Sequence, residues 1–340
     1  MDTTWFDPDS HAAPDASTRS GAPERDAGLV YRHTDMTKLA VRVARATGRP
    51  LLLRGKPGTG KSTLAKHAAR CITDGVVDGE HWGFSKFVVT SRTRAQDLLW
   101  ELDAVRRLAD AQLGEQATVD VAEVANYVRP GVLWWAFAPE SALTQETRYR
   151  RGDEPDDDVV QGLRPRVVLI DEIDKADPDV PNDLLGPFGS MQFEVEPLSK
   201  PICLEPVVPD GVAVDEERLR PLVVITTNEE RELPAAFVRR CVVLHLEPPK
   251  DADELLAIAR LHFAEPEDPD APLALTDARI KQIAGRFLVL REATHERHLS
   301  TAEFLDAIDA ATDLEIDLVG DKAAWEIVEA LVMRKTGPGR

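Results

Sequence analysis

Residues 55–62 read Gly55-Lys56-Pro57-Gly58-Thr59-Gly60-Lys61-Ser62 and stand directly behind the apolar run Pro50-Leu51-Leu52-Leu53. This is a complete G-x-x-x-x-G-K-S spacing. A strand that feeds a glycine-rich turn and then a helix, here Ser62 to Cys71, aims a row of backbone N–H groups at one point, a geometry suited to polyphosphate. Gly58 and Gly60 let the backbone close around phosphate oxygens with no Cβ in the way. Lys61 supplies positive charge to the β and γ phosphates, and the Ser62 hydroxyl suits magnesium. Gly55, Pro57, Thr59 and Thr63 complete the candidate binding loop.

A second stretch adds chemistry to binding. Arg166-Val167-Val168-Leu169-Ile170 is apolar and β-branched, then ends abruptly in Asp171-Glu172-Ile173-Asp174. A buried central strand looks like this when it delivers carboxylates to its C-terminal edge, although such acids also suit the start of a helix. The expected roles are Asp171 as a magnesium ligand and Glu172 as the group that polarises an attacking water. Together the two stretches predict a site for ATP and Mg2+.

Two further segments, Val224-Ile225-Thr226-Thr227-Asn228 and Leu233-Pro234-Ala235-Ala236-Phe237-Val238-Arg239-Arg240-Cys241, follow in order. With the loop and the acidic strand they resemble the AAA+ ATPases, and within them the MoxR-like branch, over about residues 30–315. The resemblance implies a P-loop αβα core with a parallel sheet, followed by a smaller all-α lid domain. It implies that Asn228 is the sensor 1 residue, orienting water against the γ-phosphate. It also implies that Arg240, with Arg239, is an arginine finger acting in the site of a neighbouring subunit. An Arg-Arg pair by itself would equally suit a solvated surface. Members of the branch imply a homo-hexameric ring and a partner protein of the von Willebrand A type. One departure stands out: the helix opening at Ser300-Thr301-Ala302-Glu303 has no arginine where sensor 2 is expected, leaving Arg297 and Arg291 as candidates.

Composition points the same way. The 340 residues carry 41 basic and 60 acidic side chains, a net charge of −19, which argues against nucleic acid and for protein partners. No run approaches the length of a membrane span, and the amino terminus lacks the basic start of an export signal, so a cytoplasmic location is expected. Cys71, Cys203 and Cys241 lie far apart with no C-x-x-C spacing and read as core thiols.

Along the chain, residues 1–26 form a Pro-, Ala-, Ser- and Asp-rich leader expected to be disordered, with Trp5 and Phe6 as a tail pair or a short docking motif. Residues 27–249 are expected to form the nucleotide-binding α/β domain and 250–340 the helical lid. A helix from Thr34 to Thr47 presents Met36, Leu39, Ala40, Val43 and Ala46 on one face, and Tyr31 is a candidate wall for the base. The strand Phe87–Thr90 leads to a helix with apolar Leu98, Leu102, Val105, Ala109 and Leu113. Thr90 and Ser91, at the strand exit, suit either a γ-phosphate relay through Glu172 or a helix cap.

Residues 126–160 pack aromatics densely before a charged stretch, either a satellite core or an insertion facing a pore or partner. Residues 193–211 begin with a hairpin pattern, Phe193–Glu196 against Ile202–Glu205. Helical periodicity marks 251–264, 276–290, 300–313 and 321–335. Three function classes fit: an ATP-driven ring motor that remodels a partner, a nucleotide-dependent switch or scaffold with slow or no turnover, and, more weakly, a small-molecule kinase.

Overall fold

The apolar runs become strands because their side chains are buried on both faces. A computed structural model describes residues 5–9, 30–74, 81–113, 119–151, 163–207, 219–266, 268, 273–293, 299–318 and 320–334. Its strands are β1 (Leu51–Arg54), β2 (Gly83–Val88), β3 (Trp100–Leu102), β4 (Val128–Pro130), β5 (Arg166–Asp171), β6 (Gln192–Val195), β7 (Lys200–Cys203), β8 (Leu222–Thr227) and β9 (Val242–His245). Five of them form one sheet in the order β2-β5-β8-β1-β9, and the pairs β2–β5, β5–β8 and β8–β1 are parallel. Leu51, Leu52, Leu53, Leu169, Ile170, Val224 and Ile225 are fully buried, each contributing about 1.5–3 kcal/mol.

The register decides where the polar ends fall. Arg54 aligns with Thr227, Val88 with Asp171 and Ile170 with Ile225, so the carboxyl ends of β1, β5 and β8 share one edge. Parallel α/β sheets place their chemistry at that edge.

By internal contacts the chain divides into two compact units. The first comprises Met1–Pro8, Asp35–Arg54 and Ala68–Leu244 and carries most of the sheet; the second comprises Asp9–Thr34, Gly55–His67 and His245–Arg340. The second unit is helical after β9, with helices Ala252–His262, Asp277–Ala293, Thr301–Asp313 and Lys322–Val328. Its core joins Leu255, Ile280, Ile283, Phe287, Phe304 and Ile308, with the Phe287 and Phe304 rings 5.5 Å apart. The Ser300 hydroxyl accepts from Glu303 N at 3.4 Å while the Glu303 carboxylate accepts from Ser300 N at 2.8 Å, a reciprocal cap that starts the third helix.

Four expectations are revised. The periodic stretch after β2 is not one helix: Ala95–Leu99 ends at Trp100, β3 pairs antiparallel with β4, and a second helix, Ala104–Leu113, starts where Asp103 Oδ1 accepts from Arg106 N at 2.8 Å. Trp100 is buried in the core, which favours the break over continued helix, while Val105 is 80% exposed. In the helix Asp35–Thr47 the buried face is Thr37, Ala40, Val41 and Ala44, and Met36, Leu39 and Val43 face solvent. Cys203 is exposed on β7, unlike the buried Cys71 and Cys241. Finally, the leader is anchored at residues 5–9: Phe6 is fully buried and bridges to Ile72, and Arg42 donates to its carbonyl at 2.8 Å. The Arg45 guanidinium lies 4.0 Å from the Trp5 ring centroid. Residues 1–4 and 10–26 of the leader lie outside the described residues.

The aromatic stretch after residue 126 joins the principal core through Trp134 and Phe137, whereas 152–162 lie outside the described residues. β6 and β7 form the expected hairpin, pairing Phe193 with Ile202. No helix among the described residues is long and apolar enough to cross a membrane.

Candidate functional site

The phosphate loop belongs to the second unit and begins where β1 ends. Gly58 and Gly60 take φ of +78° and +82°, in the region that disfavours side chains. A Cβ on Gly58 would sit 2.1 Å from Ser300 Cβ, and one on Gly60 would sit 3.0 Å from the Tyr31 ring. Backbone angle favours glycine at both positions, and at Gly58 space requires it as well.

Lys61, 7% exposed, folds its ammonium back onto the loop, donating to Gly55 O at 2.6 Å and Lys56 O at 2.8 Å. Thr59 Oγ1 donates to Lys56 O at 3.0 Å. The helix Lys61–Cys71 follows at once, with Ser62 and Thr63 in its first turn. A concave backbone, a buried cation and a hydroxyl at a helix start match the chemistry of a magnesium-bound polyphosphate.

Tyr31 stands against Gly60, with its ring edge-on to His33 at 4.8 Å, and His33 Nε2 lies 3.0 Å from His67 Nδ1. Burial pushes the Tyr31 phenol well above the usual range. The histidine pair was not foreseen, since 34 residues separate its members and neither carries a motif.

The acids belong to the first unit. Asp171 Oδ1 accepts from Thr226 Oγ1 at 2.6 Å, and Asp171 Oδ2 lies 2.7 Å from Lys86 Nζ. An ionised aspartate held by a hydroxyl and an ammonium is the type of hard oxygen donor that suits magnesium. Glu172 leaves β5 in the left-handed region, φ 61° and ψ 50°, which costs a non-glycine residue about 1–2 kcal/mol. Its backbone N–H donates to Thr226 Oγ1 at 2.9 Å.

Both oxygens of the Glu172 side chain are engaged. Asn228 Nδ2 donates to Oε1 at 3.0 Å, and Lys175 Nζ donates to Oε2 at 2.6 Å. The bond to Glu172 holds the Lys175 ammonium above the usual amine range. Asp174, buried, accepts from Glu230 N at 2.9 Å and fixes the turn after β8.

Asp171, Glu172 and Asn228 are thus gathered, with Thr226, Lys86 and Lys175 as partners that the sequence reading did not single out. Thr226 carries a faint signal, since Thr226 and Thr227 are the polar residues of β8. Arg239 and Arg240 take no part in this network. They follow the short helix Ala235–Val238 and are exposed; their backbone N–H groups close the helix end, Arg239 N donating to Ala235 O at 3.1 Å and Arg240 N to Phe237 O at 2.9 Å. Thr90 caps a turn, its N–H donating to Thr93 Oγ1 at 2.9 Å. Arg291 donates to Pro249 O at 2.7 Å, and Arg297 lies outside the described residues.

Residues 50–241 match the AAA domain family in its dynein-related subfamily. No curated protein sequence matches the chain. Among solved structures, a variant of Thermotoga maritima RuvB shares 15% identity over 87% of this chain and 67% of its own, with a TM-score of 0.40. Caenorhabditis elegans PCH-2 shares 14% identity over 84% of this chain and 71% of its own, with a TM-score of 0.33.

Proposed function

The chain belongs to the AAA domain family, dynein-related subfamily, whose members are generally ATPases, and on that premise we propose that it hydrolyses ATP. Gly55, Pro57, Gly58, Thr59, Gly60, Lys61, Ser62 and Thr63 hold the phosphates. Lys61, freed from the two carbonyls it now touches, offsets their charge. Ser62 and Asp171 would hold magnesium, which when bound draws charge from the phosphoryl oxygens. Glu172 takes the proton of the attacking water, and Asn228 orients that carboxylate.

The observation that carries this reading is the 3.0 Å bond from the Asn228 amide to Glu172 Oε1. A neutral amide aims the base without neutralising it. Replacing Glu172 with Gln keeps size and removes basicity, so ATP binding is retained while hydrolysis falls about 100-fold or more. Turnover equal to the parent would overturn the assignment.

We extend the proposal to a MoxR-like role: a cytoplasmic, homo-hexameric, chaperone-like ring in which Arg240, with Arg239, completes the neighbour's site and a von Willebrand A-type partner is remodelled. The domains are taken as 27–249 and 250–340. Exposed Arg239 and Arg240 support the trans role, since surface guanidinium groups are accessible to a neighbouring subunit. A second reading, a nucleotide-dependent switch with slow turnover, is favoured by the start of the helix Thr301–Asp313, where Ser300 caps and no arginine stands. Turnover measured per bound ATP separates the two.

A further inference from the structure

We propose that the outer edge of β2 and the cavity beside it take an extended peptide of a partner protein, which pairs with β2 as an added strand and seats an arginine or lysine side chain in the cavity.

β2 ends its sheet, with β5 on one side. Gly83 N donates to Pro165 O and Val89 N to Asp171 O, both at 2.9 Å, so the odd-numbered residues turn their backbone groups towards β5. The N–H and C=O groups of Phe84, Lys86 and Val88 then face outward, and no backbone bond fills them among the described residues. Such a row is a template for a further strand. Lys86, the kind of charge that guards an edge, is turned to Asp171 Oδ2 at 2.7 Å, and Val88 is 49% exposed.

A cavity of about 390 Å³ opens beside the same strand, within the first unit. Phe84 lines it from one face of β2, and Ser85 and Phe87 line it from the other, because side chains alternate along a strand. The cavity therefore sits at the edge of the sheet and not over one face, where an added strand lays its side chains.

The walls favour a cation. Trp135 joins Phe84 and Phe87 as aromatic surface, which attracts ammonium and guanidinium groups. Asp97, Glu101 and Glu146 set three carboxylates against two guanidinium groups, those of Arg129 and Arg166. Both cations are engaged: Arg129 Nε lies 3.4 Å from Glu146 Oε2, and Arg166 donates from Nη1 to Ser85 Oγ at 2.6 Å. Glu146 is buried, and its Oε2 accepts no hydrogen bond among the described residues, so a basic side chain in the cavity brings the donor that this oxygen lacks. A chain with a net charge of −19 also favours a basic partner over an acidic one.

The experiment is isothermal titration of the full chain with end-blocked Thr-Val-X-Val-Thr peptides, X being arginine, lysine, citrulline, leucine or glutamate. The arginine and lysine peptides are expected to bind with a Kd of about 1 mM or below. Citrulline, which keeps the shape of arginine and loses its charge, is expected to bind about fivefold more weakly or worse. Methylating the backbone nitrogens of the arginine peptide removes its strand pairing and is expected to abolish binding up to about 5 mM. Glu101→Lys, a change at an exposed position, is expected to weaken the arginine peptide about tenfold, and Trp135→Ala to weaken it as well, with circular dichroism showing both variants folded. Leucine or glutamate peptides that bind as tightly as arginine, or undiminished binding by Glu101→Lys, would overturn the cationic socket. A methylated peptide that binds as well as its parent would overturn the added strand, and silence from every peptide would overturn the whole site.

Discussion

The Thr226 hydroxyl ties together the two acids at the end of β5, donating to Asp171 Oδ1 at 2.6 Å while accepting the Glu172 backbone N–H at 2.9 Å. One oxygen therefore fixes a side chain and the strained backbone next to it. Thr226→Val keeps the shape and removes both bonds, leaving buried polar groups unpaired at a cost of about 1–3 kcal/mol. Urea unfolding is expected to show that loss, and hydrolysis is expected to fall further than ATP affinity. A variant as stable and as active as the parent would show that the hydroxyl only fills space.

Binding is tested at the loop. Lys61 is buried against carbonyl oxygens and in the proposed function carries the charge that meets phosphate, so Lys61→Ala is expected to weaken ATP binding strongly while the circular dichroism spectrum stays unchanged. Undiminished affinity in a fluorescence titration would remove the phosphates from this loop.

The sheet, the loop and the acids were legible because each is a local pattern: a buried run, a glycine spacing, a run that ends in carboxylates. What was not legible depends on partners far away in sequence. Phe6 looks like a tail residue until Ile72, 66 positions on, is seen to pair with it. The helix from Asp35 puts Ala40 and Ala44 inward because small residues allow close approach, and no hydropathy pattern ranks alanine above Leu39. Trp100 breaks an apparent helix because β4 offers it a strand partner. Lys175 was within reach, lying three residues after Glu172, but the left-handed turn that brings the two together leaves no mark in the sequence.

The leader's anchor yields a stability prediction. Phe6 is fully buried, and truncating a buried phenylalanine costs about 3–5 kcal/mol. Phe6→Ala is expected to lower the midpoint of urea unfolding, with exposure of Trp5 reported by a red shift in its emission. An unchanged midpoint would mean that the segment contributes nothing to the fold.

Helix Thr301–Asp313 carries a pH signature. Burial, reinforced by Asp313 and Asp306, raises the Asp309 carboxyl from 3.8 to about 6. The folded chain then holds this proton more tightly than the unfolded chain, so its contribution to stability is present at low pH and is lost as pH rises through about 6. Asp309→Asn removes the buried charge and is expected to stabilise the protein above that pH by on the order of 1 kcal/mol, discounted for partial solvent access, with no gain near pH 4. Thermal melts of both proteins at several pH values check it; a gain independent of pH would point away from ionisation.

The ring is tested by mixing two damaged chains. Arg240 is exposed, so Arg240→Ala is expected to bind ATP normally and to hydrolyse it poorly by itself, a loss of about 1,000-fold or more if it acts as a finger. Glu172→Gln fails for a different reason, having lost the base while keeping the arginine. In a mixed ring, the intact Glu172 of an Arg240→Ala subunit can stand beside the intact Arg240 of a Glu172→Gln subunit, and that composite site is whole. Turnover should therefore return in mixtures to a fraction of the parent's, rising with the share of such neighbours. An arginine that served its own chain could give no such return, because every subunit in the mixture would carry one lesion at its own site. Light scattering must show that the two proteins share oligomers; if they do and no activity returns, the trans role of Arg240 fails and the ring motor with it.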